Sequence, residues 1–356
     1  MNTVRWGVLG VARIAAAKVI PAMQRGRWST VTAIASRELG KAQEAARELG
    51  LAKAYGSYDE LLADPDIDAV YIPLPNHLHV PWAIKAAERG KHVLCEKPIA
   101  LTAADTQTLI DVRDRTGVKM QEAFMVRTHP QWLRARDIVR SGRLGEVRSI
   151  AGYFSYYNDD AANIRNVPEF GGGGLMDIGC YLINTSRFIF EREPKRVVGL
   201  IDRDPRLKVD RMTSMILDFD ATRGAGPEAD EGHGARSGAH CIGTCSTQLT
   251  AYQRVQILGT QGRLEVQIPF NAPPDRPCRL AIDTAGDLSG ATIETIEIET
   301  CDQYTIQGDL FSQAILAGTD VPAPLEDALI NMECIEAVFR SAASGLWEQP
   351  RTVLAT

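Results

Sequence analysis

The chain has 356 residues, 45% hydrophobic and 24% charged, the balance of a soluble two-domain globular protein rather than a disordered one. Its net charge of -6, from 39 basic and 45 acidic residues, argues against a general nucleic-acid surface. No stretch approaches the ~18 uninterrupted apolar residues of a membrane span. The 7 cysteines are scattered and odd in number, which suits free thiols in a reducing cytoplasm.

The opening MNTVRWGVLGVARIA reads as a first strand entering the fold, not as an export signal, so a cytoplasmic location is expected. Strand-like runs at Val4–Leu9, Val31–Ala35, Ala69–Ile72, His92–Cys95 and Val118–Gln121 alternate with helix-like runs at Glu38–Glu48, His77–Glu88 and Ala103–Arg115. Alternation of this kind predicts a doubly wound parallel sheet of the Rossmann type, covered by helices on both faces.

The first strand runs straight into Gly10-Val11-Ala12-Arg13-Ile14-Ala15 and a helix. A dinucleotide fold needs a tight turn here, close backbone approach to a pyrophosphate, and close helix–strand packing. Gly10 can supply the turn, while Ala12 and Ala15 stand where the glycine fingerprint has its second and third glycines. Gly10, Ala12, Arg13 and Ile14 are the candidate cofactor contacts; an ordinary strand–helix turn is the competing reading. The second strand ends in Ser36-Arg37, where an NAD enzyme usually places a carboxylate. A hydroxyl and a guanidinium suit a 2′-phosphate and so favour NADP over NAD, unless Arg37 is simply solvated. Glu38 is expected in the first turn of the next helix.

After Ala123 the texture changes. A helix at Gln131–Arg140 leads into an alternating run, Val147–Tyr157, then a glycine-rich turn and a helix over about Leu175–Phe190. Strands follow near 196–203, 211–219, 239–248, 253–258, 263–268, 278–283 and 292–298, and two helices, Gln303–Ala317 and Leu325–Ser344, end the chain. Successive strands predict an α+β second domain with a large, mostly antiparallel open sheet, its single covered face leaving the other for a partner. The expected division is residues 1–123, which hold the cofactor, and 124–356, which bind substrate and oligomerise. Segment 222–238 reads as a long solvated hairpin loop. Cys241 and Cys245, without a second pair, make a poor zinc candidate, and His77 and His79 lack a carboxylate partner, so no metal is expected.

Three segments carry chemistry: Pro73-Leu74-Pro75-Asn76-His77-Leu78-His79, Glu96-Lys97-Pro98, and Gly171-Gly172-Gly173-Gly174-Leu175-Met176-Asp177-Ile178-Gly179-Cys180-Tyr181. With Arg127-Thr-His-Pro between them and Ile257–Phe270 beyond, they resemble the Gfo/Idh/MocA family of NAD(P)-dependent oxidoreductases over nearly the whole chain. The resemblance implies that Lys97 sits by the nicotinamide and the substrate hydroxyl. It also implies that Pro73, Leu74, Pro75, Asn76, His79 and Glu96 lie along the cofactor. Tyrosine at 181, where many members have histidine, resembles the subgroup of glucose–fructose oxidoreductase, dimeric dihydrodiol dehydrogenase and certain pentose dehydrogenases. A homodimer or homotetramer formed through the open sheet is implied as well.

Independently of that likeness, a helix beginning near Leu175 sets Asp177, Tyr181 and Asn184 on one face at i, i+4 and i+7. The glycines before it allow close backbone approach to a ligand. A core aromatic is the other reading of Tyr181. The expected activity is reversible transfer of hydride between NADP(H) and the carbinol carbon of a sugar-like or cyclic polyol substrate. Tyr181 is the acid/base, with Lys97 lowering its pKa from the ordinary ~10, and Asp177 orients Lys97 or a substrate hydroxyl. Lys97 as the direct acid/base stays open, as does Arg165 as a contact to cofactor or substrate rather than a surface arginine. A non-catalytic NADP-binding, sugar-responsive regulator and an oxidoreductase with permanently bound NADP are the rival functions.

Overall fold

The computed structural model describes residues 2–219, 238–286 and 288–350. All of segment 222–238 except its last residue lies outside them. Contacts divide the chain into two units: one runs to Thr128 and takes in Cys301–Met332, the other holds His129–Thr300 and the chain from Glu333.

The first unit is built on β1 (Val4–Leu9), β2 (Ser29–Ala35), β3 (Lys53–Tyr55), β4 (Ala69–Ile72), β5 (His92–Cys95) and β6 (Met120–Glu122). They lie in the order β3-β2-β1-β4-β5-β6, every neighbouring pair parallel. β4 is buried at all its positions and β1 at all but Arg5, the pattern of strands covered on both faces. β3 went unforeseen because it is three half-buried residues at the sheet edge, with no apolar run to mark it. The strand order reverses between β1 and β4, and a crevice opens at the carboxyl ends of strands at such a reversal.

The return of Cys301–Met332 to this unit departs from a single division near Ala123, and its cause is local. Trp6 on β1 donates its indole N–H to Ser312 Oγ at 3.0 Å and lies 5.6 Å from the Phe311 ring. Asp309 accepts the backbone N–H groups of Arg27 and Trp28 at 2.8 Å each. The helix Gln303–Ala317 therefore completes the core of the parallel sheet.

The second unit carries β7 (Val147–Tyr157), β8 (Arg196–Arg203), β9 (Asp210–Asp218), β10 (His240–Ser246), β11 (Gln248–Gly259), β12 (Arg263–Val266), β13 (Cys278–Asp283) and β14 (Glu294–Ile298). Their order is β14-β13-β12-β11-β7-β10-β9-β8, antiparallel except where β10 pairs β7. The helix Cys180–Phe190, almost wholly buried, packs on one face. Its seat is a pair of glycines that are register partners on β7 and β10, Gly152 and Gly243. A Cβ at Gly152 would come within 2.6 Å of Leu182 Cδ2, and one at Gly243 within 3.2 Å of Leu182 Cδ1. Glycine within a strand marks this kind of close approach.

Register carries the alternate residues to the opposite face. Leu200, Ile216, Ile242, Tyr153 and Tyr252 are all exposed there, Leu200 at 75% and Tyr153 at 51%.

Valine at 152 has better strand propensity than glycine, by up to about 1 kcal/mol. Overpacking against Leu182 costs about 1–3 kcal/mol, and this larger effect decides the outcome. Gly152→Val is expected to lower Tm by several degrees in thermal unfolding; an unchanged or raised Tm would show that Leu182 is not so seated.

Candidate functional site

Four loops follow the carboxyl ends of neighbouring strands β2, β1, β4 and β5, so the cofactor residues expected from sequence in the first unit share one edge of the parallel sheet. After β1, Gly10 has φ +109, a conformation open to glycine, and a Cβ there would meet Leu74 Cδ2 at 2.9 Å. Leu74 thus packs against the first turn. Ala12 and Ile14 are half-buried and Arg13 is exposed, just ahead of the helical turns Ala15–Val19 and Ile20–Met23.

After β2, Ser36 Oγ accepts the Glu38 N–H at 3.3 Å, and Arg37 is exposed. Glu38 stands one position earlier than expected, at the N-cap of helix Leu39–Leu49, and pairs with Lys41 at 2.7 Å. Its charge is spent within its own helix. The end of β2 therefore offers a hydroxyl and a guanidinium, a donor set that fits a 2′-phosphate better than a ribose hydroxyl.

After β4 and β5 the loops are tied together from behind. His79 is fully buried, its Nδ1 2.8 Å from the Pro98 carbonyl oxygen and its Nε2 2.7 Å from that of Leu74. Burial drives its pKa down to about 4, so the ring is neutral and donates through one nitrogen at a time. His79 is thus a brace between the two loops, with no surface left for a ligand. Pro73 is buried as well, whereas Pro75, Asn76 and Lys97 are half-buried on the loops themselves. The Lys97–Pro98 peptide is cis. Glu96 accepts a 2.6 Å hydrogen bond from Tyr71, whose phenol burial pushes to a raised pKa, reinforced by the Glu96 charge. Glu122 Oε1 accepts the Ile99 N–H at 2.8 Å, a support for the Glu-Lys-Pro loop that sequence reading missed.

In the second unit two glycines of the run are pressed against protein. A Cβ on Gly172 would stand 2.5 Å from the Arg165 carbonyl oxygen. Gly173, with φ +116, would place one 1.9 Å from Asp210 Oδ1. Asp210 Oδ2 accepts the Leu175 N–H at 2.6 Å and the Thr213 hydroxyl at 3.0 Å, seating the turn Leu175–Gly179 that carries Asp177. That turn is of the wider π type before the α-helix resumes at Cys180. Gly179 lies against Cys245, where a Cβ would come within 2.8 Å of Sγ.

Asp177 is buried, with one oxygen on Tyr156 Oη at 2.5 Å and the other on Arg165 Nε at 3.1 Å. Arg165 therefore reaches Asp177. Tyr181 is 5% exposed, and its ring packs on Phe154 at 5.8 Å and Phe270 at 5.3 Å between centroids. Trp132 fixes the far side, donating to the Pro269 carbonyl at 2.7 Å. Asp177 and Tyr181 are thus brought together under one strand, β7, while Asn184 is fully buried. Tyr156, Asp210 and Phe270 were not foreseen as site residues. Alternation over Val147–Tyr157 was the available signal for Tyr156, since it places Phe154 and Tyr156 on the same face. Among the described residues, no three His, Cys, Asp or Glu side chains converge as a metal site requires, and no helix is long and apolar enough to cross a membrane.

Burial pushes the Asp210 pKa up to about 6, against hydrogen bonds that pull it down. A carboxyl with a raised folded pKa binds its proton more tightly folded than unfolded. Its contribution is therefore full below the unfolded value near ~4 and is lost as pH rises through about 6. Asp210→Asn, unable to ionise, is expected to gain stability relative to the native chain between pH 4 and 8. The gain is on the order of 3 kcal/mol by denaturant unfolding. A difference that does not vary with pH would contradict this electrostatic account of Asp210.

Residues 4–124 match the family model "Oxidoreductase family, NAD-binding Rossmann fold", and residues 132–265 match "GFO/IDH/MocA C-terminal domain". An oxidoreductase of Rhizobium meliloti is 47% identical, covering 98% of this chain and 99% of its own. A D-xylose 1-dehydrogenase (NADP(+)) of Haloferax volcanii is 38% identical over 96% of this chain and 98% of its own. Among solved structures, a 3-ketoreductase from Actinomadura kijaniata with NADP and TDP-benzene superposes with a TM-score of 0.85 at 28% identity. That match covers 96% of this chain and 98% of the ketoreductase. Structures of that ketoreductase include variants with one lysine or one tyrosine replaced. The chain belongs to the Gfo/Idh/MocA family of oxidoreductases.

Proposed function

We propose that this member of the family is an NADP-dependent oxidoreductase of sugar-like substrates in which Lys97, Asp177 and Tyr181 divide the chemistry at a carbinol carbon. The observation that carries the reading is the arrangement on one helix: Asp177 held by two donors and Tyr181 wedged between Phe154 and Phe270. NADP in the name of the xylose dehydrogenase and in the ketoreductase complex supports the cofactor, as do Ser36 and Arg37 at the end of β2. The first unit holds the cofactor in this proposal, along Gly10–Ile14, Ser36–Arg37 and Pro73–Asn76, and the second binds the substrate.

NADP, when bound, takes up or delivers the hydride. The protein handles the proton and the charge. Oxidation releases a hydroxyl proton, which Tyr181 accepts in its phenolate form and returns in the reverse direction. Lys97 supplies positive charge to the oxyanion that develops as that proton moves, which lowers the barrier in either direction. Asp177 receives a second hydroxyl of the substrate and so fixes which carbon reacts. Lys97 as the direct acid/base is the alternative assignment within the same enzyme.

Lys97→Met and Tyr181→Phe are each expected to lower kcat by about 10²- to 10⁴-fold while NADPH still binds in a fluorescence titration. Aldoses, polyols and dihydrodiols assayed with NADP and NAD in parallel supply the substrate. Near-normal turnover in both variants would overturn the assignment.

The exposed apolar residues on the uncovered sheet face support a homo-oligomer formed through that face. Light scattering is expected to give at least twice the protomer mass, and a monomer at micromolar concentration would contradict it. A cytoplasmic setting belongs to the same proposal and rests on seven free thiols, six of them buried. Fractionation of the native host checks it.

A further inference from the structure

Asp177 is proposed above to hold a substrate hydroxyl, and the following rests on that reading. The Asp177 carboxylate accepts from Tyr156 Oη at 2.5 Å and from Arg165 Nε at 3.1 Å. The two donors differ in kind. Arg165 sits on the three-residue turn Ile164–Asn166, its side chain 43% exposed, and it reaches this carboxylate through Nε. Tyr156 is a rigid ring on the long central strand β7. Burial raises its phenol pKa, and the Asp177 charge raises it further, so the hydroxyl stays protonated and donates.

The contact also has a register. Phe154 and Tyr156 are successive inward positions of β7, about 6.7 Å apart along the strand. Tyr181 and Asp177 are four residues apart on the facing helix, about 6 Å along its axis. The spacings match in antiparallel sense, Phe154 on Tyr181 and Tyr156 on Asp177. One strand face thus aims both side chains.

We infer that Tyr156 is a positioning residue that acts through Asp177: its hydroxyl holds the carboxylate in one rotamer, the orientation in which it receives a substrate hydroxyl. A carboxylate already receiving two donors, one of them cationic, is a poor proton acceptor. Asp177 therefore anchors the substrate and leaves the proton to Tyr181 or Lys97.

The test is a double-mutant cycle on the native chain, wild type, Tyr156→Phe, Asp177→Asn and the pair, with NADP and the fastest aldose of the substrate panel. Thermal unfolding and NADPH titration are run alongside. Tyr156→Phe is expected to lower kcat/KM for the sugar by about 10- to 100-fold, with Tm and NADPH affinity nearly unchanged. In the Asp177→Asn background the same substitution is expected to change kcat/KM by less than about 2-fold, because the carboxylate through which Tyr156 acts is gone. If Asp177→Asn is impaired but Tyr156→Phe is silent, or the two losses simply multiply, Tyr156 does not act through Asp177 and this inference fails alone. If Asp177→Asn keeps wild-type kcat/KM, the reading of Asp177 itself fails and takes the inference with it.

Discussion

The contact on which the second unit depends is Leu182 pressed onto two glycines, Gly152 and Gly243, that face each other across β7 and β10. A helix on a flat sheet could slide or rotate; a leucine in a socket without Cβ atoms on either side cannot. Once Leu182 is seated, Tyr181 one residue earlier falls between Phe154 and Phe270, and Asp177 falls beneath Tyr156. The chemistry proposed for this chain is thus a consequence of a packing constraint, with the hydrogen bonds refining what the socket has already oriented.

The entry to that helix is fixed by a different kind of force. Gly172 and Gly173 bring the chain so close to the Arg165 carbonyl and to Asp210 that no side chain fits, and Asp210 then takes the Leu175 N–H. A buried carboxylate with a pKa pushed up to about 6 is an expensive cap. It stands at the turn that delivers Asp177. The first unit uses a neutral group: fully buried His79 lies between the Leu74 and Pro98 carbonyls, donates to one of them at a time, and so links the loops after β4 and β5.

How much of this was legible follows from where each signal resides. β1, β4 and β5 match the expected bounds because strands buried on both faces write themselves as short apolar runs between turns. The helices Gln303–Ala317 and Leu325–Ser344 were legible too, but the attachment of Cys301–Met332 to the parallel sheet was not. It depends on Trp6 finding Ser312 across some three hundred residues, which no periodicity reveals. The glycine run was visible, but the close approach of Gly172 and Gly173 to the Arg165 carbonyl and to Asp210 was not, because sequence does not show what a bare backbone faces. Asp177 and Tyr181 stood out by spacing and by resemblance. Tyr156 did not, because alternation gives its face but not the register that brings it to Asp177.

The central claim is that Asp177 and Tyr181, aimed by β7, address the same sugar. A crystal structure with NADP and the fastest substrate of the panel tests this most directly. The account expects an Asp177 oxygen and Tyr181 Oη each within about 3 Å of a hydroxyl of one sugar, with Tyr156 still on the other Asp177 oxygen. A sugar bound away from both side chains, or Asp177 turned from Tyr156 when the sugar is present, would contradict it.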